Sequence, residues 1–346
     1  RNRFEKFAFS LQSAAKNDPL RPRLLNAFDH FINVENKSDL EIAQLAQNLE
    51  IDIAINLGGH TQNGRMGIFA YRAAPIQVNY LGYPGTLGAS YIDYIIGDKV
   101  IIPELSQQFY MEKVAYLPNS YMVDDSKRQP LTSLLKRKDF DLPEDRFIFC
   151  CFNNSYKINP QVLKCWANIL LKTPESVFWI SENNELFRRN LLSEFSKLGI
   201  SSSRIIFAKY VSSMAEHLSR YRLADLFLDT QPFNAHTTAI DALKAGLPLL
   251  TLSGNTFASR VGASLLSAIG LPELITSRQE DYEELAIELY QNPKKLAAIK
   301  QKLAVNRLSA PLFNTALFAI HLEAVYEKMY ERCQANLLPD HISINP

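Results

Sequence analysis

Residues 147–160 read FIFCCFNNSYKINP, and this stretch decides the class of fold. Its first six residues are all apolar or cysteine, which predicts a strand buried on both faces, as in parallel sheets. Asn159 and Pro160 then predict the N-cap and first residue of a helix that runs through Leu171. A buried strand, a polar loop and a helix form the repeating unit of α/β proteins, so we predict a doubly wound parallel sheet.

The alternation of strand and helix continues on both sides of this stretch. Upstream, Ser38 and Glu41 have the spacing of a capping box at the start of a helix, and the buried strand 51–57 follows that helix. Downstream, helices separate further predicted strands at residues 177–180, 204–207, 226–229 and 249–252. Strands that alternate with helices form parallel sheets, and the chain is long enough for two such units.

A polar and charged segment interrupts the alternation at residues 123–145, and we interpret it as an interdomain linker. The predicted fold class is therefore α/β, with two doubly wound, parallel-sheet lobes and an interdomain cleft. We predict, in chain order, an N-terminal lobe, a linker, a C-terminal lobe and a short tail, with the bounds 1–122, 123–145, 146–334 and 335–346.

The composition excludes several functional classes. The 346 residues carry 37 Lys and Arg against 36 Asp and Glu, so a net charge of +1 gives no overall field to attract nucleic acid or an anionic membrane. No apolar run reaches the ~20 residues of a membrane span. The four cysteines fit neither a disulfide framework nor a CxxC metal site. We expect a cytoplasmic protein with no metal site and no nucleic-acid or membrane partner.

Two loops that follow predicted strands carry side chains able to bind an anion. Ligands of doubly wound sheets bind beyond the carboxyl ends of the strands, and the free N–H groups of a helix start favour negative charge. One loop carries amides, hydroxyls and the cation Lys157, and the other leads from Asp229 through His236 into a helix that begins with Thr237 and Thr238. Each feature alone has an ordinary explanation as a surface lysine, a packed histidine or an N-cap, but together they favour a phosphate site.

Other motifs narrow the ligand. His217 and Arg220 lie one turn apart on a predicted helix and could present an imidazole and a guanidinium to a planar base, although an exposed helix face explains them equally well. The sequence has no GxGxxG after a strand, no GxxxxGK[ST] and no GxSxG. These absences disfavour a dehydrogenase, a P-loop ATPase and an α/β-hydrolase. The residues alone therefore predict a two-domain α/β enzyme that binds a phosphorylated ligand, a nucleotide, in its cleft.

Five motifs in the same order resemble the catalytic region of the O-linked N-acetylglucosamine transferase family, the bacterial members above all. The resemblance extends from about Phe4 to about Cys333, and its motifs are 72–77 (RAAPIQ), 81–86 (LGYPGT), 151–158 (CFNNSYKI), 224–230 (ADLFLDT) and 234–238 (NAHTT). It implies a GT-B glycosyltransferase with two Rossmann-like lobes, in which the N-terminal lobe is catalytic and the C-terminal lobe binds the nucleotide sugar.

The resemblance implies a reaction and its substrates. The donor would be UDP-N-acetylglucosamine, the acceptors Ser or Thr hydroxyls of proteins, and the transfer would be inverting and independent of metal or other cofactors. Residue by residue, it implies catalytic roles for Lys157 at the diphosphate and for His236. It also implies donor-binding roles for Asn154, Tyr156, His217, Arg220, Thr237, Thr238, Asp241, Leu81 and Gly82.

Two departures from the family pattern leave alternatives open. Relatives carry an Asp-Phe-x-x-His-Pro segment upstream of the strand that corresponds to residues 7–11, and tetratricopeptide repeats before it. We therefore expect an incomplete N-terminal lobe, with those repeats further upstream and a general base that could lie there. Plant O-fucosyltransferase relatives lack the His-Thr-Thr motif and the following Asp, which favours UDP-N-acetylglucosamine over GDP-fucose. Another donor, such as UDP-glucose, or a non-catalytic nucleotide-sugar-binding module stays an alternative.

Overall fold

The computed structural model describes residues 3–12, 18, 20–131 and 135–345. Parts of the predicted N-terminal lobe, linker and tail, namely residues 1–2, 13–17, 19, 132–134 and 346, lie outside the described residues. The described residues form parallel sheets flanked by helices, so the predicted α/β class with two lobes is confirmed. Among them, no helix combines the length and the apolar character needed to cross a lipid bilayer.

The N-terminal lobe is built mainly on a parallel sheet in the order β6-β5-β4-β3. Its elements are β1 (Phe7–Ser10), α1 (Arg21–Leu25), β2 (His30–Asn33), α2 (Asp39–Asn48), β3 (Ile53–Asn56), α3 (Gly67–Ala70), β4 (Ile76–Asn79), β5 (Tyr94–Asp98) and β6 (Lys113–Leu117). Strands β1 and β2 pair with each other in a separate two-stranded parallel sheet. The predicted capping box of α2 is present, because Ser38 Oγ accepts from the Glu41 N–H and the Glu41 carboxylate accepts from the Ser38 N–H.

The C-terminal lobe is a six-stranded parallel sheet in the order β12-β11-β10-β7-β8-β9. Its buried strands match the predicted apolar runs, and Asn159 caps the helix after β7 by accepting from the Val162 N–H at 3.0 Å. Its elements are β7 (Phe147–Cys151), α4 (Pro160–Lys172), β8 (Ser176–Ser181), α5 (Glu185–Lys197), β9 (Ile205–Ala208), α6 (Met214–Arg220), β10 (Leu226–Leu228), α7 (Thr237–Ala245), β11 (Leu249–Leu252), α8 (Val261–Ala268), β12 (Ile275–Thr276), α9 (Gln279–Gln291) and α10 (Pro293–Ser309).

The end of the chain returns to the N-terminal lobe. Helix α11 (Thr315–Gln334) packs Val325 and Met329, both buried, against the β4–β6 sheet. Strand β13 (Ile342–Ser343) then adds to the edge of that sheet beside β6. The sequence analysis assigned residues 315–334 to the C-terminal lobe and 342–343 to a tail. The sequence did not indicate this placement, because which sheet an amphipathic helix covers is a long-range property.

Buried polar groups join the two lobes beside the site. Asp98, at the end of β5, accepts a hydrogen bond from Ser264 Oγ of α8 at 2.7 Å. Arg260, which precedes α8, donates to the Val100 carbonyl at 3.1 Å. Burial raises the pKa of Asp98, while hydrogen bonds from Ile101, Ser264 and neighbouring groups oppose that rise. Because these contacts cross from one lobe to the other, they help to fix the two lobes relative to each other.

Candidate functional site

The two loops singled out in the sequence lie side by side at the switch point of the C-terminal sheet. Strand β7 has β8 on one side and β10 on the other, so the strand order reverses between β7 and β10. The loop that carries Lys157 follows β7, and the loop that leads to His236 follows β10. Open α/β sheets bind ligands in the crevice at such a point, because the helices after the two strands diverge to opposite faces.

Lys157 is the buried cation of this crevice. Its Nζ donates to the Asn234 carbonyl at 2.7 Å and lies 4.2 Å from the centroid of the Phe233 ring. Burial lowers the pKa of Lys157 to about 8, and the negative charge of Asp229 opposes that shift. The lysine is therefore a poorly hydrated cation that an anionic ligand would stabilise, because the ligand would supply the charge that water no longer balances.

Asp229, at the end of β10, organises the loop that follows it. Its carboxylate accepts from Thr251 Oγ1 at 2.7 Å, from the Ala235 N–H at 2.6 Å and from the Thr230 N–H at 2.8 Å. Burial raises the pKa of Asp229 to about 6, although these hydrogen bonds and the charge of Lys157 lower it. The sequence analysis did not select Asp229 as a site residue. Its one signal was an acidic residue at the carboxyl end of a buried strand.

The start of α7 supplies the second anion-binding feature. The first helical residues, Thr237 and Thr238, have N–H groups without a preceding turn to accept them, as in every helix. Thr238 Oγ1 donates to Asn153 Oδ1 in the neighbouring loop, so that hydroxyl joins the two loops. Asn153 also donates to Thr230 Oγ1 at 2.8 Å, and it is a further residue that the sequence analysis missed.

His236 precedes this helix and is buried beside Phe233, with stacked rings whose centroids are 4.9 Å apart. Burial, with a smaller contribution from the charge of Lys157, lowers the pKa of His236 to about 3. The imidazole is therefore neutral near pH 7. Its Nε2 has no hydrogen-bond partner among the described residues. A buried polar atom without a partner is costly, which makes it a candidate contact for a bound ligand.

Two of the predicted donor-binding residues lie on the rim of the crevice. Asn154 is exposed, and the Tyr156 side chain is 71% exposed. Tyr156 contacts Phe233 edge-on, with ring centroids 6.0 Å apart, so it stands beside the Lys157 cation. Both residues are accessible to a ligand that extends out of the crevice.

His217 and Arg220 form one unit on α6. Arg220 Nη2 and His217 Nδ1 are hydrogen-bonded at 2.8 Å, and Arg220 also donates to the Lys209 carbonyl at 2.7 Å. The Arg220 guanidinium lies 4.5 Å from the centroid of Phe152, the residue directly after β7. Burial lowers the pKa of Arg220, and its Nε has no partner among the described residues. This is not the exposed helix face left open as an alternative, since Arg220 is buried.

Asp241 connects this unit to α7. It lies four residues after Thr237, and residues at that spacing share one face of a helix. Its Oδ2 is 3.6 Å from His217 Nε2, and its Oδ1 is 2.9 Å from Arg128 Nη1. The Arg128 contact does not have hydrogen-bond geometry, so the buried Oδ1 keeps an unused capacity to accept a bond. The sequence analysis predicted Asp241 but not Arg128, which it placed in the linker.

Leu81 and Gly82 lie on the other lobe, in the turn that follows β4. Leu81 has a φ of +76°, a strained conformation for a residue with a side chain. A Cβ added to Gly82 would lie 1.9 Å from the Leu57 carbonyl oxygen, so only glycine fits there. Nearby, His60 donates through Nε2 to the Leu87 carbonyl at 2.9 Å and contacts the Tyr83 ring edge-on. The strain and the close approach of the backbone indicate a turn whose shape matters.

The described residues contain no group of three or more His, Cys, Asp or Glu side chains arranged to hold a metal ion. The positive groups of the crevice are therefore those of Lys157, the His217–Arg220 pair and the start of α7. Together with the unpartnered atoms of His236, Arg220 and Asp241, they suit a ligand that has an anionic part and a polar, planar part.

Comparison with known proteins agrees with this chemistry. The Arabidopsis thaliana protein named probable UDP-N-acetylglucosamine–peptide N-acetylglucosaminyltransferase SEC is 39% identical over 350 residues, which cover 99% of this chain and 36% of that relative. The Caenorhabditis elegans protein named UDP-N-acetylglucosamine–peptide N-acetylglucosaminyltransferase is 27% identical, over all of this chain and 40% of its own. The chain thus spans less than half the length of these curated relatives.

A solved O-GlcNAc transferase mutant from Thermobaculum terrenum superposes with a TM-score of 0.86 at 29% identity, over 95% of this chain and 62% of its own. This likeness confirms the GT-B fold that the motifs implied. The sequence profile of glycosyl transferase family 41 matches residues 1–137 and 129–322, nearly the whole chain. The resemblance drawn from five short motifs is thereby confirmed, and the chain belongs to glycosyl transferase family 41.

Proposed function

We propose that this chain is the catalytic region of a protein O-glycosyltransferase that transfers N-acetylglucosamine from UDP-N-acetylglucosamine to Ser and Thr hydroxyls. The observation that carries the proposal is the pairing of a buried cation, Lys157, with the start of α7 at the switch point of the C-terminal sheet. The names of the relatives support the choice of donor and acceptor.

The donor would lie along the crevice with each of its parts against a different group. Lys157 and the N–H groups of Thr237 and Thr238 would hold the diphosphate, with His236 beside them. Asp241 would accept from the ribose hydroxyls, and the His217–Arg220 pair would contact the uracil. Asn154, Tyr156, Leu81 and Gly82 would then line the part of the cleft that receives the sugar.

Inverting transfer is a single displacement at the anomeric carbon. The acceptor oxygen forms a bond to that carbon, the bond from the carbon to the β-phosphate oxygen breaks, and the hydroxyl gives up its proton. Negative charge grows on the departing UDP as the second bond breaks. Lys157 and the start of α7 would stabilise that charge without a metal ion, because they are fixed in place before the reaction. Their burial strengthens the effect, since a low dielectric weakens charge interactions less than water does.

We further propose a cytoplasmic setting. Cys150, Cys151 and Cys165 are buried free thiols, as expected for a protein kept under reducing conditions. Tetratricopeptide repeats outside these residues, and the identity of the general base, stay predictions from the family resemblance.

The proposal is tested by incubating the protein with acceptor proteins and, separately, with UDP-N-acetylglucosamine, UDP-glucose and GDP-fucose. Mass spectrometry of the acceptors would detect an added N-acetylhexosamine on Ser or Thr with the first donor. A hexose or deoxyhexose would indicate another donor within the superfamily. Binding of UDP without transfer from any donor would instead favour a nucleotide-sugar-binding module.

A further inference from the structure

The segment that follows β6 was interpreted as an interdomain linker, yet its first residues pack against the donor crevice. Asp124 is buried, and its carboxylate accepts from Lys244 Nζ at the C-terminal end of α7. Lys244 also donates to the Asp125 carbonyl at 2.8 Å. The start of the segment is thus fixed to the helix whose other end forms the predicted diphosphate site.

A tight turn presents Arg128 to the same helix. The Arg128 N–H donates to the Asp125 carbonyl at 3.0 Å, and the Lys127 N–H donates to Asp125 Oδ1 at 3.0 Å. The guanidinium donates through Nη2 to Asp124 Oδ1 at 2.6 Å, while Nη1 lies 2.9 Å from Asp241 Oδ1 and 3.7 Å from Met214 Sδ. One planar fork therefore bridges two buried carboxylates, a geometry that arginine provides and lysine does not.

The bridge leaves Asp241 charged and oriented. Asp241 is 5% exposed, and a carboxylate so buried needs a compensating charge to stay ionised. Arg128 supplies that charge through Oδ1 without using its hydrogen-bonding capacity, and Oδ2 faces His217. Burial disfavours the charged guanidinium, but Asp124 and Asp241 outweigh this effect and the pKa of Arg128 is raised.

We propose that Arg128 is a positioning residue for donor recognition, whose guanidinium holds the Asp241 carboxylate in place to accept the ribose hydroxyls of a uridine nucleotide. The proposal rests on the proposed function, because it takes Asp241 as the group that contacts the ribose. It assigns to the segment between the lobes a part in reading the donor. Arg128 acts through Asp241 and touches no reacting atom.

The test compares two ligands, UDP and 2′,3′-dideoxyuridine diphosphate, by calorimetric titration of the protein and its variants. The parent protein should bind UDP more tightly, and Asp241→Asn should reduce that preference. Arg128→Gln should weaken UDP by about tenfold, the loss typical of a hydrogen bond to a charged group, and should leave the dideoxy ligand within about twofold of the parent value. A merely structural role would weaken both ligands alike.

Two further variants complete the design. Arg128→Lys keeps the charge but not the two-carboxylate fork, so it should fold and show an intermediate preference, which decides the question if Arg128→Gln does not fold. Arg23→Gln is the matched control, because Arg23 pairs with Asp125 of the same turn and not with Asp241. It should keep the parent preference, and an equal loss there would assign the effect to the turn as a whole and overturn the proposal.

The remaining outcomes separate the two levels of the argument. If Asp241→Asn loses the preference for UDP while both Arg128 variants keep it, the positioning role is wrong and the proposed function stands. Tighter UDP binding by Arg128→Gln would show that the arginine blocks Asp241, and would also overturn the positioning role. If the parent protein binds UDP without preferring it to the dideoxy ligand, the ribose contact and the role of Arg128 fail together. If it does not bind UDP, the proposed function fails as well.

Discussion

Lys157 Nζ donates a hydrogen bond to the backbone carbonyl of Asn234, a residue that lies across the switch point in the loop before α7. The cation of one loop is thus held by the backbone of the next. The contact occupies one of three ammonium hydrogens and leaves the others for a ligand. It also fixes Lys157 before the ligand arrives, which is the condition under which a charge contributes most to catalysis.

Replacement of Lys157 by alanine is expected to abolish most sugar transfer. The variant loses the cation that would stabilise departing UDP, at a cost of about 3–4 kcal/mol of transition-state stabilisation. The measurement is kcat/KM for transfer from UDP-N-acetylglucosamine. Lys172→Ala, which removes an exposed lysine from the end of α4, should leave the rate unchanged. Turnover of Lys157→Ala within a few-fold of the parent would refute the diphosphate assignment.

Donor binding should weaken as the pH rises above about 8, the pKa of Lys157 in the free protein. That pKa is lowered by burial, so the lysine is charged below this pH and loses its proton above it, whereas the bound diphosphate favours the charged form. The decline should be up to tenfold per pH unit until the pKa of the complex is reached. Titration of UDP from pH 7 to pH 9 would show it. The same decline in Lys157→Ala would mean that another group titrates.

UDP should bind more tightly than GDP. The His217–Arg220 pair and Asp241 enclose a crevice with buried polar atoms, and a purine that cannot satisfy them leaves them unpaired. Calorimetric titration of both nucleotides at one pH and salt concentration measures the difference, and His217→Ala should reduce it. Equal affinities, or a preference for GDP, would place the chain nearer to the fucosyltransferase branch.

Gly82→Ala should destabilise the N-terminal lobe. The added Cβ would lie 1.9 Å from the Leu57 carbonyl oxygen, so the turn after β4 must move, at a cost of about 1–3 kcal/mol. Gly85→Ala is the matched control in the same turn, because its Cβ would meet only the Tyr83 ring, at an ordinary 3.5 Å. Denaturant unfolding of both variants makes the comparison. Equal stability of the two would show that the turn yields without cost.

Chelation should leave transfer unaffected. Positive charge from Lys157 and the start of α7 is proposed to do what a divalent cation does in other transferases. Activity measured after exhaustive treatment with EDTA should equal the untreated rate, and added Mg²⁺ or Mn²⁺ should not raise it. A loss on chelation that either cation restores would contradict the proposed mechanism.

The C-terminal sheet was predictable because its strands are apolar along their whole length. β7, β8 and β11 agree with the expected ranges to within a residue at each end, since both faces of these strands are buried. Helices α8 to α11 were not predicted. Nearly every residue of α8 is buried, so the helix carries no amphipathic signal of its own.

The candidate site divides in the same way. Lys157, His236 and Thr237 follow strands that the sequence shows, and their convergence follows from the rule for doubly wound sheets. Arg128 gave no such signal, because a run of charged residues is typical of a solvated connection. Only the folded chain shows that this arginine reaches Asp241 on α7.

Helix α11 has a consequence for any attempt to divide this protein. The backbone passes between the lobes twice, once after β6 and once before α11, so cutting the first connection does not release two independent domains. An N-terminal fragment that ends before β7 would expose the apolar face that Val325 and Met329 cover, and its partner would carry an orphaned, sticky helix. Expressed together, the two halves should recombine through α11 and β13, which makes split-protein complementation a natural way to control this family's fold.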